Sequence, residues 1–222
     1  MRYEYTDLLQ RGITAITAHS GCEGTPPNSI EHIRSAIASG AEFIEIDVRH
    51  TGDLFYLSHD LPENPRECVP LATAFELISQ ESNLYMNLDV KEQGLVTPVL
   101  ELAENYGLCR RIVFTGEANG ARAEANARGA EMWRSMWQGD SVPEGIAANL
   151  RDGSPALNVD QVMLTEEYHL ELRSHGGGFS VWTVNNEAAI RRFLDMGVMN
   201  ITTQRPLLAL RLREEIQLSK RR

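Results

Sequence analysis

Between Gly40 and Asp60 the chain reads GAEFIEIDVRHTGDLFYLSHD, which sets two carboxylates inside a β-branched apolar run. Side chains alternate faces along a strand. In Phe43 to Val48, Ile44, Ile46 and Val48 therefore share one face. Glu45 and Asp47 share the other, with roughly 7 Å between their Cα atoms. Two carboxylates that close repel one another, and burial makes each costlier. A cation between them offsets that cost, whether a metal, a lysine or an arginine. Asp89 and Lys91 end another such run on one face, with Leu88 and Val90 turned away. Glu45, Asp47 and Asp89 offer hard oxygen ligands, which suit Mg²⁺ or Ca²⁺ better than zinc. Lys91 adds positive charge for an anionic substrate. His19 and His59 are of the residue type that exchanges protons near neutral pH. Phosphodiester cleavage needs such a set: charge neutralised on the phosphoryl oxygens, a base for the nucleophile and an acid for the leaving oxygen.

The elements that must position these residues alternate. Apolar, β-branched runs at 12–18, 43–48, 84–90, 111–114, 131–136, 156–159, 179–184 and 198–202 predict eight strands, nearly all followed by a helical pattern. A short extension at 54–58 follows the second. Helices are expected at 29–39, 71–80, 93–106, 117–128, 142–150, 166–175, 186–196 and from Pro206 to about Leu218, with Asn28 and Glu31 as a capping pair for the first. Strands alternating with helices imply parallel βαβ units, and eight of them fit a TIM (β/α)8 barrel as one domain over 1–222; a doubly wound open sheet is the other solution. In a barrel the chemistry sits at the carboxyl ends of the strands. His19, the Glu45/Asp47 pair and the Asp89/Lys91 pair end the first three, and Trp182 lies near the end of the seventh, as a wall for substrate. Trp133 and Trp137 read as packing residues near the fifth. Asn87 shares the face of Asp89. His32, His169 and His175 fall on helices and read as surface groups.

Composition narrows the partners. With 21 Lys and Arg against 31 Asp and Glu, the net charge is -10, which argues against a broad nucleic-acid surface. The basic end, Lys220-Arg221-Arg222, is too short for a nucleic-acid arm. No stretch approaches the roughly 20 apolar residues of a membrane span, and MRYEYTDLLQ lacks the apolar run of a signal peptide, so a cytoplasmic protein is expected. Three cysteines, without zinc-type spacing, read as free thiols. The expected partner is a small phosphodiester.

The motifs resemble those of the glycerophosphodiester phosphodiesterase family from His19 to about Pro206. GAEFIEIDVRHTGD followed by LSHD matches closely; NLDVKE, ALNVD, VWTVNN and GVMNITTQRP match later segments. The resemblance implies a TIM barrel and metal-dependent hydrolysis to an alcohol and glycerol 3-phosphate. Glu45, Asp47 and Asp89 would hold the metal, His19 and His59 would act as acid and base, and Lys91, Trp182 and Ser20 would face the substrate. Several positions depart from the pattern. Ser20 stands where an arginine is usual, so one phosphate clamp is replaced by an uncharged hydroxyl. The usual Pro-Glu-Asn-Thr reads Pro26-Pro27-Asn28-Ser29. Asp89 replaces a glutamate, Gln204 an aspartate, and most of the usual insertion between His59 and Lys91 is missing. Arg49 and Arg205, near strand ends, are the candidates to supply the missing charge. Two alternatives remain open: a cyclising lyase acting on a lysophospholipid-like substrate, or a non-catalytic barrel that binds a phosphorylated ligand.

Overall fold

The computed structural model describes residues 5–219, so Lys220, Arg221 and Arg222 lie outside the described residues. The strands are β1 (Ala15–Ala18), β2 (Phe43–Thr51), β3 (Leu54–Leu57), β4 (Tyr85–Val90), β5 (Ile112–Gly116), β6 (Glu131–Met132), β7 (Arg134–Met136), β8 (Ala156–Asp160), β9 (Gly178–Trp182) and β10 (Asn200–Thr203). They join in the order β6-β5-β4-β2-β1-β10-β9-β8-β7. Every pairing on that path is parallel.

The run at 131–136, expected as one strand, is broken at Trp133. That indole is fully buried, and the Trp133 backbone N–H donates to the Phe114 carbonyl at 2.9 Å. Because β6 pairs with β5 and β7 with β8, the sheet closes through this broken strand. The result is the expected TIM barrel. β3 stays outside the ring as an antiparallel hairpin partner of β2. It lifts the turn that carries His59 over the barrel mouth.

The helices are α1 (Tyr5–Arg11), α2 (Ile30–Ser39), α3 (Leu71–Ser79), α4 (Val96–Glu104), α5 (Arg122–Ala127), α6 (Val142–Asp152), α7 (Glu166–Ser174), α8 (Glu187–Met196) and α9 (Pro206–Ser219). Their buried faces pack on the outward side chains of the strands, among them Ile44, Ile46, Val48, Leu88 and Val90. Two helices begin later than expected. Gly94 takes a left-handed φ of 79° ahead of α4. Ahead of α5, Glu117 N–H is held by the Val90 carbonyl and the Asn119 side chain by the backbone of Ser135. Both stretches are thereby committed to loops at the barrel mouth. Among the described residues no helix is long and apolar enough to cross a membrane.

Three local expectations are corrected. Ser29, not Asn28, caps α2, its hydroxyl accepting from His32 N–H at 3.0 Å. His32 and His169 are buried rather than on the surface. His32 Nε2 donates to the Glu45 carbonyl at 3.0 Å, tying α2 to β2 beneath the carboxylate pair.

Candidate active site

The register of β2 against β4 sets Asp47 opposite Asp89 and Glu45 opposite Asn87, all facing the barrel interior. One oxygen from each of Glu45, Asp47 and Asp89 lies within 4.8 Å of the others. Oxygens around one divalent ion at about 2.0–2.6 Å are separated by similar distances. The surroundings want a cation there. Burial first, then the charges of Asp47 and Asp89, hold the Glu45 carboxyl well above the usual carboxylate range. Burial also raises Asp89, against the pull of Lys91. Lys91 Nζ lies 2.6 Å from Asp47 Oδ1 and 2.5 Å from Asp89 Oδ2. Burial alone would lower its ammonium, but Asp89 and Asp47 outweigh that and push it up. One ammonium against three carboxylates leaves negative charge uncompensated, so the donor set fits a hard divalent cation.

The supports of these side chains come from the loop after β1. Ser20 N–H donates to Glu45 Oε2 at 2.9 Å. Asn28 amide donates to Asp47 Oδ2 at 2.7 Å while its Oδ1 accepts from Asp47 N–H at 3.1 Å. This two-way grip needs the left-handed backbone of Asn28, at a φ of 54°, a region Asn tolerates better than most residues. The Ser20 hydroxyl accepts from Asn28 N–H at 2.8 Å, so it helps to fold this loop.

His19 ends β1 with its Nδ1 3.0 Å from the Ser20 carbonyl. A carbonyl can only accept, so Nδ1 carries the proton and Nε2, 3.9 Å from Glu45 Oε2, faces the cleft. Burial lowers the His19 pKa, and the charge of Asp47 only partly offsets this. The Ser20 carbonyl also accepts from Gln204 Nε2 at 3.2 Å, and Gln204 Oε1 in turn accepts from Asn185 at 3.0 Å. His59 stands exposed after β3, its Nδ1 2.9 Å from Asp60 Oδ1.

Arg49 does not supply the charge missing at Ser20. Its guanidinium donates to the His59 carbonyl at 3.0 and 2.8 Å and to Glu92 at 3.0 Å, bracing the His59 turn. Arg205 is spent in part on the Asn185 carbonyl at 3.3 Å.

The cleft has two arms that share His19, Asp47 and His59. The open arm, about 640 Å³, runs past Pro27, Leu57, Val69 and Cys68 to Asp60 and Glu67. The inner arm, about 370 Å³, descends past Lys91 to Trp137, Asn158 and Trp182. Lys91 is the single lysine or arginine lining either arm among the described residues. Trp182 does line the cleft. Trp133 packs in the core, whereas Trp137 is 41% exposed at the rim. Sequence reasoning missed Asn28 as the holder of Asp47, and it missed Asn158. A polar residue within the apolar ALNVD run was the available signal for Asn158.

Comparisons with known proteins point to one group of relatives. The profile described as "Glycerophosphoryl diester phosphodiesterase family" matches residues 178–206. A glycerophosphodiester phosphodiesterase of Bacillus altitudinis is 23% identical over 92% of this chain and 100% of its own length. The chain is thus similar to glycerophosphodiester phosphodiesterases. Solved structures share the barrel of that family. A glycerophosphodiester phosphodiesterase from Parabacteroides distasonis superposes with a TM-score of 0.77 at 19% identity, covering 92% of this chain and 98% of that one. A phosphodiesterase from Oleispira antarctica, solved with the product sn-glycerol-3-phosphate, gives 0.74 at 18% identity, covering 93% and 99%.

Proposed function

We propose that this chain hydrolyses glycerophosphodiesters to glycerol 3-phosphate and an alcohol, with Glu45, Asp47 and Asp89 holding Mg²⁺ or Ca²⁺. The observation that carries this reading is the meeting of three inward carboxylates, Lys91 and His19 at the carboxyl rim of the barrel. The Bacillus altitudinis relative is itself a glycerophosphodiester phosphodiesterase, and the Oleispira antarctica phosphodiesterase was solved with the expected product. A divalent cation at the triad supplies neutralisation of the charge that develops on the phosphoryl oxygens.

The chain's own residues do the rest. Lys91 adds a second positive charge beside the phosphoryl group. His19, neutral and with Nε2 facing the cleft, takes the proton from the attacking oxygen. That oxygen forms the new P–O bond as the bond to the head-group oxygen breaks. His59, at the junction of the two arms and oriented by Asp60, gives a proton to the departing oxygen. Whether water or a substrate hydroxyl attacks first, the net reaction adds one water across the P–O bond.

Phosphorus NMR of glycerophosphodiesters with different head groups, with and without Mg²⁺ or Ca²⁺, tests this. Metal-dependent glycerol 3-phosphate is the expected product. Accumulating cyclic phosphate would transfer the reading to a cyclising lyase. No turnover of any diester would overturn the enzyme reading in favour of a binding barrel.

A further inference from the structure

Two buried polar atoms at the barrel mouth have no hydrogen-bond partner within the protein: Oδ1 of Asn158 and Nε1 of Trp182. Both residues line the inner arm of the cleft. Asn158 on β8 pairs with Ser180 on β9, two residues before Trp182. Side chains two apart on a strand share a face, so Asn158 and Trp182 project inward from neighbouring strands. Asn158 is only 7% exposed, and an unmet amide oxygen at such burial is unfavourable. Neither atom does anything for the sheet. Their chemistry is complementary, because an amide oxygen only accepts and an indole N–H only donates. A hydroxyl does both. The inner wall around them is uncharged, made of Ser135, Trp137 and Thr202, while Lys91 and the carboxylates occupy the facing wall. The open arm differs: it ends at the exposed acids Asp60 and Glu67 and offers no comparable pair of buried atoms.

We infer that Asn158 and Trp182 form a hydroxyl-reading subsite. It takes the polyol half of the substrate, the free hydroxyls of a glycerol ester, and leaves the open arm to the departing alcohol. This rests on the phosphodiesterase reading. The inner arm then sets strict recognition of the hydroxyl-bearing half, and the open arm a looser recognition of the head group.

The test is calorimetric binding of glycerol 3-phosphate and of propyl phosphate, which has the same phosphate and carbon count without the hydroxyls. It uses the full chain with Mg²⁺, alongside diester turnover. The wild type should favour glycerol 3-phosphate by at least about 10-fold, the worth of one hydrogen bond to a buried partner. Asn158→Leu should cut that preference by about 10-fold. Trp182→Phe keeps an aromatic ring without the N–H, and it should cut the preference as well. This second variant keeps the test decisive if the first folds poorly. Equal wild-type affinities, or a preference that survives in folded Trp182→Phe and Asn158→Leu, overturn the subsite even when diesters are hydrolysed. Absence of both binding and diester turnover removes the phosphodiesterase reading and the subsite with it.

Discussion

At the scale of single residues the site is a problem of uncompensated charge. Lys91 is the internal cation that makes three close carboxylates tolerable, and it lies between two of the proposed metal donors. Removing it by Lys91→Met leaves the buried acids without a compensating charge, which is strongly unfavourable. The metal-free variant should melt below the wild type, and Mg²⁺ or Ca²⁺ should raise its melting temperature by more than it raises that of the wild type. Turnover should fall about 10²-fold or more, because charge on the phosphoryl oxygens loses a stabilising partner. Equal metal-induced shifts in the two proteins, read by scanning calorimetry, would remove Lys91 from the charge balance. His32, one layer below, makes a separate prediction. Burial, only partly opposed by its bond to the Glu45 carbonyl, pushes its pKa down from 6.5 to about 4. The unfolded chain therefore binds a proton here that the folded chain refuses. Its contribution to stability is full above about pH 6.5 and is lost as the pH falls towards 4, a change on the order of 3 kcal/mol. In His32→Gln that part of the acid dependence should vanish. Parallel curves of unfolding free energy against pH for the two proteins would refute it.

At the scale of elements, strand ends aim the chemistry and the loops behind them hold it in place. Gly116 ends β5 with a φ of 73°, and an added Cβ there would run into Asp89 Oδ1 and the Val90 carbonyl oxygen. Gly116→Ala combines a left-handed backbone, at about 1–2 kcal/mol, with a collision against a proposed metal ligand. It should lower stability by about 2 kcal/mol or more and weaken metal binding; an unchanged metal affinity by calorimetry would show that Asp89 is free to move. Much of this layout was legible in the sequence. The period-2 alternation of FIEIDV and NLDVK put Glu45, Asp47, Asp89 and Lys91 on inward faces, and the structure pairs Asp47 with Asp89 across β2 and β4. Other features were not legible, for physical reasons. Asn28 precedes a helix and looks like a cap, but its left-handed backbone turns the side chain onto Asp47 and leaves the capping to Ser29. His32 looks like a polar position on a helix, and only its distant partner, the Glu45 carbonyl, allows it to be buried. The break at Trp133 depends on how β5 and β8 meet across the closing seam, which local periodicity does not encode.

At the scale of the molecule, stability and chemistry occupy opposite ends of the barrel, as the fold generally separates them. The carboxyl rim collects buried, like-charged groups that weaken the folded state. The amino rim carries a compensating clasp. Arg213 of α9 reaches into it, donating to both oxygens of Glu42 at 2.8 and 2.9 Å and to the Thr14 carbonyl at 2.8 Å. Glu42 is fully buried just before β2, and its Oε2 also accepts from the Ile16 N–H of β1 at 3.0 Å. Four segments are thus tied at one point: the last helix, the entry to β1, β1 itself and the entry to β2. A buried pair need not add net stability over an apolar one, but removing one partner strands the other charge. Arg213→Met should therefore cost about 3–5 kcal/mol in unfolding free energy by denaturant titration. Arg213 lies far from the cleft, so kcat/KM per folded molecule should stay within about twofold of the wild type. A loss below about 1 kcal/mol would show that helix packing alone seals the base of the barrel. A large fall in kcat/KM with the fold intact would show that strain at the amino rim reaches the carboxylates through β2, which starts directly after Glu42 and carries Asp47 further along.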